Sequence, residues 1–422
     1  MKIFLSTLGS AGDVYPFIAI GEVLKRAGYE VCLCTNPYFE HIANARGLDF
    51  IAAGTIEDYL HAVNSPQLWQ QQSAFRQMAE FMNAQQPAVY TALAPHVDST
   101  SIILTSLWSF SAKMLGETHG CCVIPVRVTP STFVSRYDPP HHKQLHWVRF
   151  LPLSFRRACL AIIEKYVLDS PLASSFNRLR HQYGLSPVER ILTRWTHQTD
   201  AALLCLFPEW FAHPHPDWPA HVRQVGFARF NLLDDAPDDA EDADNPLDTF
   251  IARKPTVIVM PSWALHTQPT LITALVRHIR ARGYQCLIID QTLDTQANDD
   301  DGVRVLPHIN LHRYLSRFRA IIHHGGIGTT AQAFAAGLPQ LIIPSAFDQF
   351  DNARRVAAMG CGIGLATHQL TNLDSVLARL LTDPDIAKNC HRIRQLVPDA
   401  GRVNTHIVAV VDEAYRRHLT RH

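Results

Sequence analysis

The stretch Ile321-Ile322-His323-His324-Gly325-Gly326-Ile327-Gly328-Thr329-Thr330 decides the fold. Ile321 and Ile322 read as a short buried strand, and a helix follows Thr330. Three glycines at the join let a backbone approach a ligand closely. The helix start then presents unbonded N–H groups and the positive end of its dipole, and His323 and His324 add donors. Such a turn suits an anion, most simply a diphosphate. It matches neither GxxxxGK[ST] nor GxGxxG. The same glycines would also serve a purely structural strand-to-helix turn.

The pattern extends in both directions. Thr256 to Met260 reads as a strand, Leu271 to Arg282 as a helix ending at Gly283, and Cys286 to Asp290 as a strand. Leu341 to Pro344 gives another strand, and Phe350 to Met359 a helix stopping at Gly360. The chain's start repeats the scheme. Lys2 to Leu8 is strand-like, Gly9-Ser10-Ala11-Gly12-Asp13 a turn, Phe17 to Ala27 a helix closed by Gly28, and Val31 to Cys34 a strand. Ser101 to Thr105, Phe110 to Gly120 and Cys122 to Val128 continue it. Buried strands alternating with helices predict parallel sheets covered on both faces. The expected fold class is α/β, with two doubly wound Rossmann-like domains facing a cleft. The expected boundaries are residues 1–228 and 246–398, an acidic linker at 229–245, and a C-terminal helix at 399–422 packing back on the first domain.

Composition narrows the function. The 422 residues are 47% hydrophobic and 18% charged, enough for sizeable cores and unlike a disordered chain or coiled coil. Lys plus Arg equals Asp plus Glu at 38 each, without the basic excess of a nucleic-acid binder. Seven of the eleven residues from Asp234 to Asp244 are acidic, so the remainder is mildly basic, which suits an anionic substrate. Nine cysteines, none in CxxC spacing, predict reduced, mostly buried thiols in a cytoplasmic protein. Asp13 interrupts the short apolar start and no small-residue cleavage site follows, so no signal peptide is expected, and no apolar run is long enough to span a bilayer. Residues 139–167 mix His141, His142, Lys143, Arg149, Arg156, Arg157 and Lys165 with Trp147, Phe150, Leu151, Leu153, Phe155 and Ile162. They read either as a connecting helix with a solvated basic face or as a surface in peripheral contact with a membrane.

Two further turns carry polar chemistry. Asp348, Gln349, Asp351 and Asn352 follow the strand Leu341 to Ile343, placed to read sugar hydroxyls or to cap the next helix. Asp13 ends the first glycine turn, as a helix cap or as a general base.

The order Gly-Asp-x-x-Pro at Gly12 to Pro16, His-His-Gly-Gly-x-Gly-Thr-Thr at His323 to Thr330, then Asp348-Gln349 resembles the nucleotide-sugar glycosyltransferases of the GT-B fold. Ser106-Leu107-Trp108, Thr129-Pro130-Ser131-Thr132, Cys205 to Phe211 and Asp348 to Ala353 extend the resemblance over residues 1–370. Within that group it is most similar to the rhamnosyltransferases of rhamnolipid biosynthesis. The resemblance implies Asp13 as the catalytic base. It implies His324, Gly326, Gly328, Thr329 and Ser262 at the donor diphosphate, Asp348 and Gln349 at the donor sugar, and His308 at the nucleobase. The acceptor is expected near Trp108, Phe110, Thr129, Ser131 and Phe133.

The reaction implied is an inverting transfer with no metal and no cofactor beyond a nucleoside-diphosphate sugar. L-rhamnose from dTDP-rhamnose would pass to a hydroxyl of an amphiphilic acceptor such as a hydroxyalkanoyl lipid. Two features depart from the family. Pro261-Ser262-Trp263 stands where a Gly-Ser or Gly-Thr pair is usual, with His266 retained, and His308 replaces a base-stacking aromatic. The competing readings are a nucleotide-sugar epimerase and a non-catalytic nucleotide-sugar-binding subunit. Asn298-Asp299-Asp300-Asp301 reads as a turn rather than a metal motif.

Overall fold

The run Lys2–Ser6 has four of its five side chains buried, as a strand covered on both faces requires. In a computed structural model, which describes residues 2–65, 74–141, 146–229, 246–261, 269–290 and 302–420, it is an interior strand of a seven-stranded sheet. The strands are β1 (Lys2–Ser6), β2 (Glu30–Thr35), β3 (Asp49–Ala52), β4 (Ile102–Thr105), β5 (Cys122–Arg127), β6 (Leu203–Cys205) and β7 (Val222–Gln224). Their order is β3-β2-β1-β4-β5-β6-β7, all parallel. Successive side chains of β1 enter opposite layers. Ile3 and Leu5 pack with Val14, Phe17 and Ile18, while Phe4 packs with Met114, Leu115 and Phe176.

A second sheet holds β8 (Thr256–Met260), β9 (Gln285–Ile289), β10 (Val303–Leu306), β11 (Ala320–His323), β12 (Gln340–Ile342) and β13 (Gly362–Gly364). Its order is β10-β9-β8-β11-β12-β13, again parallel throughout. Val257 and Val259 enter one layer and Ile258 the other. The chain divides into two compact units, Met1–Phe230 with Pro398–His422, and Asn231–Val397. The helix Ala400–Leu419 belongs to the first, because Val403, Ile407, Val410, Val411 and Ala414 are buried in its core beside Ile20 and Leu24.

In each sheet the strand order reverses beside the first strand of the unit, and ligands of open α/β sheets bind outside the strand ends at that point. The reversal lies between β1 and β4 in the first sheet and between β8 and β11 in the second. It therefore brings forward the turn Gly9–Asp13 after β1 and the turn His324–Gly326 after β11.

Several boundaries differ from the sequence reading. The first helix is Ala11–Arg26, so Asp13 lies inside its first turn and Pro16 inside the helix. Pro16 is the sixth helical residue, so it withholds the N–H that would otherwise bond the Gly12 carbonyl. The nine cysteines are all free. Among the described residues no helix is long and apolar enough to cross a membrane. Ser262, Trp263, His266, His142, Lys143, the acidic stretch Asp234 to Asp244 and Asn298 to Asp301 lie outside the described residues.

Candidate active site

The second unit's glycine turn is built from the strand outward. His323, fully buried at the end of β11, is held on both sides. Its Nε2 pairs with Gln340 Oε1 at 3.1 Å, and its Nδ1 accepts the Gly325 N–H at 3.1 Å. Burial and the neighbouring His324 push its pKa down to about 3, so it is a neutral brace that fixes the loop. Gly325 follows at φ +94°, where a Cβ would come within 2.6 Å of Ile342 Cγ2.

The helix Ile327–Ala336 then begins with Gly326 as its cap residue, and Gly326 has no side chain to bond the first turn. The first intrahelical bond comes from Thr330 N–H to the Gly326 carbonyl at 3.0 Å. The N–H groups of Ile327, Gly328 and Thr329 therefore have no helical acceptor, and the first turn holds no acidic residue. Gly328 is exposed with open space where a Cβ would be. The His324 ring lies over this helix start, with Nε2 2.7 Å from where a Gly326 Cβ would stand. Burial lowers its pKa to about 4, so it is a neutral imidazole at pH 7. Its Nδ1 finds no hydrogen-bond partner among the described residues. Dipole, orphan N–H groups and imidazole together make a cradle whose chemistry suits an anion.

The turn after β12 adjoins this cradle through Asn352. Asn352, fully buried, donates from Nδ2 to the Gly325 carbonyl and to Asp348 Oδ2, both at 2.9 Å. One side chain thus ties the glycine turn to the acidic turn. Asp348 stands at the cap position of the helix Gln349–Ala358 but gives that helix no side-chain cap bond. Gln349 is spent differently from the sequence expectation. Its Oε1 accepts from Ser345 N, Ser345 Oγ and Ala346 N at 2.8, 2.9 and 3.1 Å, and the residue is buried. It closes its own turn, and only its amide nitrogen is left for a sugar. His308 is exposed just beyond β10, the edge strand of this sheet.

In the first unit, Ser10 is the cap residue and Asp13 stands three positions into the helix. Asp13 Oδ2 accepts the Ser10 N–H at 2.9 Å and the Ser10 hydroxyl at 3.2 Å. Asp13 Oδ1 accepts nothing among the described residues. Burial raises its pKa to about 6, and the two Ser10 bonds pull against that rise. Gly9, at φ +132°, makes room for this arrangement, because a Cβ there would meet Asp13 Oδ2 at 2.3 Å.

The five expected acceptor residues fall into two groups, Trp108 with Phe110 and Phe133 with Thr129 and Ser131. Phe110 is fully buried and packs on Phe176 with ring centroids 5.3 Å apart. It is a core residue, because the helix Phe110–His119 must bury an apolar face on the sheet. Trp108 lies in the same layer, almost wholly buried. Phe133 instead stacks on Trp218 at 4.3 Å and lines a cavity of about 530 Å³ with Thr193, His197 and Asp217. Thr129 and Ser131 pair through their hydroxyls at 3.1 Å on the turn leading to Phe133. Sequence reasoning passed over Ser10 and the bracing roles of Asn352 and His323. Ser10-x-x-Asp13 was readable as a capping box, whereas nothing in the sequence assigns Asn352 its two acceptors.

Residues 3–135 match the glycosyltransferase family 28 N-terminal domain, and residues 286–399 match the erythromycin biosynthesis protein CIII-like C-terminal domain. The O-mycaminosyltylonolide 6-deoxyallosyltransferase of Streptomyces fradiae is 25% identical, covering 99% of this chain and 98% of its own. The glycosyltransferase of kitacinnamycin has a similar solved structure, with TM-score 0.71 and 15% identity over 99% of this chain and 98% of its own. The spinosyn rhamnosyltransferase complexed with thymidine diphosphate superposes with TM-score 0.63 and 18% identity over 98% and 99% of the two chains. The resemblance to the rhamnolipid enzymes is finer than these matches reach. They place two family domains in order on two parallel sheets, and the chain is an enzyme of the family 28 and EryCIII-like group, a nucleotide-sugar glycosyltransferase of the GT-B fold.

Proposed function

We propose that the protein transfers a deoxysugar, L-rhamnose from dTDP-rhamnose, to a hydroxyl of an amphiphilic acceptor such as a hydroxyalkanoyl lipid, with inversion at the anomeric carbon. One observation carries the donor half. The helix start at Gly326 leaves three N–H groups uncapped beside a neutral imidazole, the arrangement a diphosphate needs. That a fold neighbour named as a rhamnosyltransferase was solved with thymidine diphosphate supports the choice of donor.

The chemistry then divides between the units. Asp13 Oδ1 takes the proton of the acceptor hydroxyl as its oxygen bonds to the anomeric carbon. The bond from that carbon to the diphosphate breaks, and the leaving group carries away the electron pair. Its new charge falls on the N–H groups of Ile327, Gly328 and Thr329 and on His324. No metal enters this account. In this reading Asp348, positioned by Asn352, and the Gln349 amide nitrogen are assigned to the sugar hydroxyls, His308 and Ser262 to the rest of the donor, and Phe133 with Thr129 and Ser131 to the acceptor side.

The test is release of nucleoside diphosphate from a panel of nucleotide sugars, with and without hydroxyalkanoyl lipids of several chain lengths. The expected result is release only with dTDP-rhamnose and a long-chain acceptor, unaffected by chelator. Release with a rigid macrocyclic alcohol alone would overturn the lipid assignment. Interconversion of the sugar without an acceptor would indicate an epimerase.

A further inference from the structure

The most exposed apolar surface of the first unit lies far along the chain from its glycine turn. Of the thirteen large hydrophobic residues exposed among the described ones, seven fall between Trp147 and Val167. Phe150 is 78% exposed, Tyr166 66%, Phe155 62% and Ile162 59%. The helix Leu153–Ile163 buries a single side chain, Leu160. A helix packed only against its own domain would bury a whole stripe.

The segment is nevertheless well held. The Arg156 guanidinium bonds the carbonyls of Leu151 at 2.8 Å and Arg136 at 3.2 Å, and also that of Arg149, so the turn carrying Trp147 and Phe150 is pinned to the helix. Charge is sorted across it as well. Its one carboxylate, Glu164, and that of Asp169 just beyond it are both engaged elsewhere. Glu164 is buried against Arg190, and Asp169 accepts the backbone N–H groups of Arg190 and Ile191. The cations stay outside. Arg149, Arg157 and Lys165 are exposed, with Arg149 over the Phe150 ring and Lys165 over the Tyr166 ring.

We propose that the surface from Trp147 to Val167 docks the protein on an anionic lipid bilayer, with Phe150, Phe155, Ile162 and Tyr166 entering the headgroup boundary and Arg149, Arg157 and Lys165 pairing with lipid phosphates. Apolar side chains alone would suit any greasy partner. An exposed apolar surface with exposed cations along the same segment, and with Glu164 buried against Arg190, is complementary to one that is greasy and anionic at once. The proposal does not depend on the identity of the acceptor.

Co-sedimentation of the full chain with vesicles tests it, using phosphatidylcholine alone and phosphatidylcholine with about 30% phosphatidylglycerol. The wild-type protein should sediment with the anionic vesicles and much less with the neutral ones, and the difference should shrink at high salt. Each cation near an anionic surface strengthens binding roughly fivefold, so Arg149→Gln with Arg157→Gln and Lys165→Gln should weaken it about a hundredfold. Phe155→Glu with Ile162→Glu should abolish it. These side chains are exposed, so thermal midpoints and thymidine diphosphate affinity should stay at wild-type values, which separates this proposal from the donor reading. Three outcomes overturn it. One is absence of wild-type binding to anionic vesicles. Another is equal binding by the Phe155→Glu, Ile162→Glu variant. The third is a wild-type dimer in gel filtration that this variant dissolves, which would make the face a contact with a second copy.

Discussion

The turns Gly9–Asp13 after β1 and His324–Gly328 after β11 hold the same topological place in their sheets and end in opposite chemistry. Both pass through a glycine at positive φ into a helix. In the first, the chain supplies its own anion. Asp13 folds back on Ser10 and places a carboxylate at the positive end of the helix. In the second, no side chain caps the helix and the first turn holds no acidic residue, so the helix start is open to a ligand's negative charge. The lesson is that a strand-to-helix glycine turn defines a location, while its function depends on whether the cap is internal. A filled cap leaves one carboxylate oxygen for proton transfer, and an empty one leaves N–H groups for a leaving group.

The comparison breaks most sharply at Asp13. Asp13→Asn keeps a group able to accept both Ser10 bonds, so the cap and the fold should survive. It removes the base, and turnover should fall about 10²- to 10⁴-fold with donor affinity unchanged. Single-turnover assays beside calorimetric donor titration separate the two quantities. Wild-type turnover in the Asn variant would make Asp13 a cap residue and nothing more.

At the open cap the expected effect is smaller and falls on binding. His324→Ala removes one donor to the diphosphate, worth about 1.5–3 kcal/mol, roughly 10- to 150-fold in affinity. Gly326→Ala should imitate it, because the added Cβ would displace the imidazole from 2.7 Å. Unchanged thymidine diphosphate affinity in both variants would move the anion site elsewhere.

Protonation sharpens the contrast further. The free-state pKa of His324 is about 4, and a bound dianion beside it must raise that value. Binding therefore takes up protons in the window above about pH 4, and affinity rises as pH falls through it. Titrations in two buffers of unlike ionisation enthalpy should show this uptake in the wild type and lose it in His324→Gln. Equal uptake in the two proteins would assign the proton to the ligand.

How much of this was legible in the sequence follows from the kind of signal each feature leaves. The two sheets were, because β-type runs such as Thr256–Met260 and Ala320–His323 are apolar except at Thr256 and His323. The uncapped helix start after β11 was too, since a glycine at the cap position offers no side chain to bond the first turn. The acceptor wall was not. Trp108 and Phe110 look alike in sequence whether they line a pocket or fill a core, and Phe110 fills a core. Gln349 was half legible, because a turn three residues before it takes its carbonyl oxygen and leaves only the amide nitrogen. The surface from Trp147 to Val167 was half legible. Its composition was plain, but which side chains face outward depends on Arg156 and Arg190 pulling particular groups inward.

The smallest expected effect lies within the filled cap, and it tests whether that cap tunes the base. Ser10 lowers the Asp13 pKa through two bonds, one from its N–H and one from its hydroxyl. Ser10→Ala deletes only the second. The fold should lose about 0.5–1.5 kcal/mol, the ordinary net worth of one hydrogen bond. With burial less opposed, the Asp13 pKa should rise above its present value of about 6. Since the carboxylate is the active form, the wild-type rate should fall about tenfold per pH unit below that value. In Ser10→Ala the same limb should begin at higher pH, with the rate plateau above it nearly unchanged. A kcat/KM profile from pH 5 to 9 measures this directly. A superimposable acid limb would mean that the hydroxyl bond does not reach the reacting carboxylate, and that the internal cap and the base are separate devices sharing one turn.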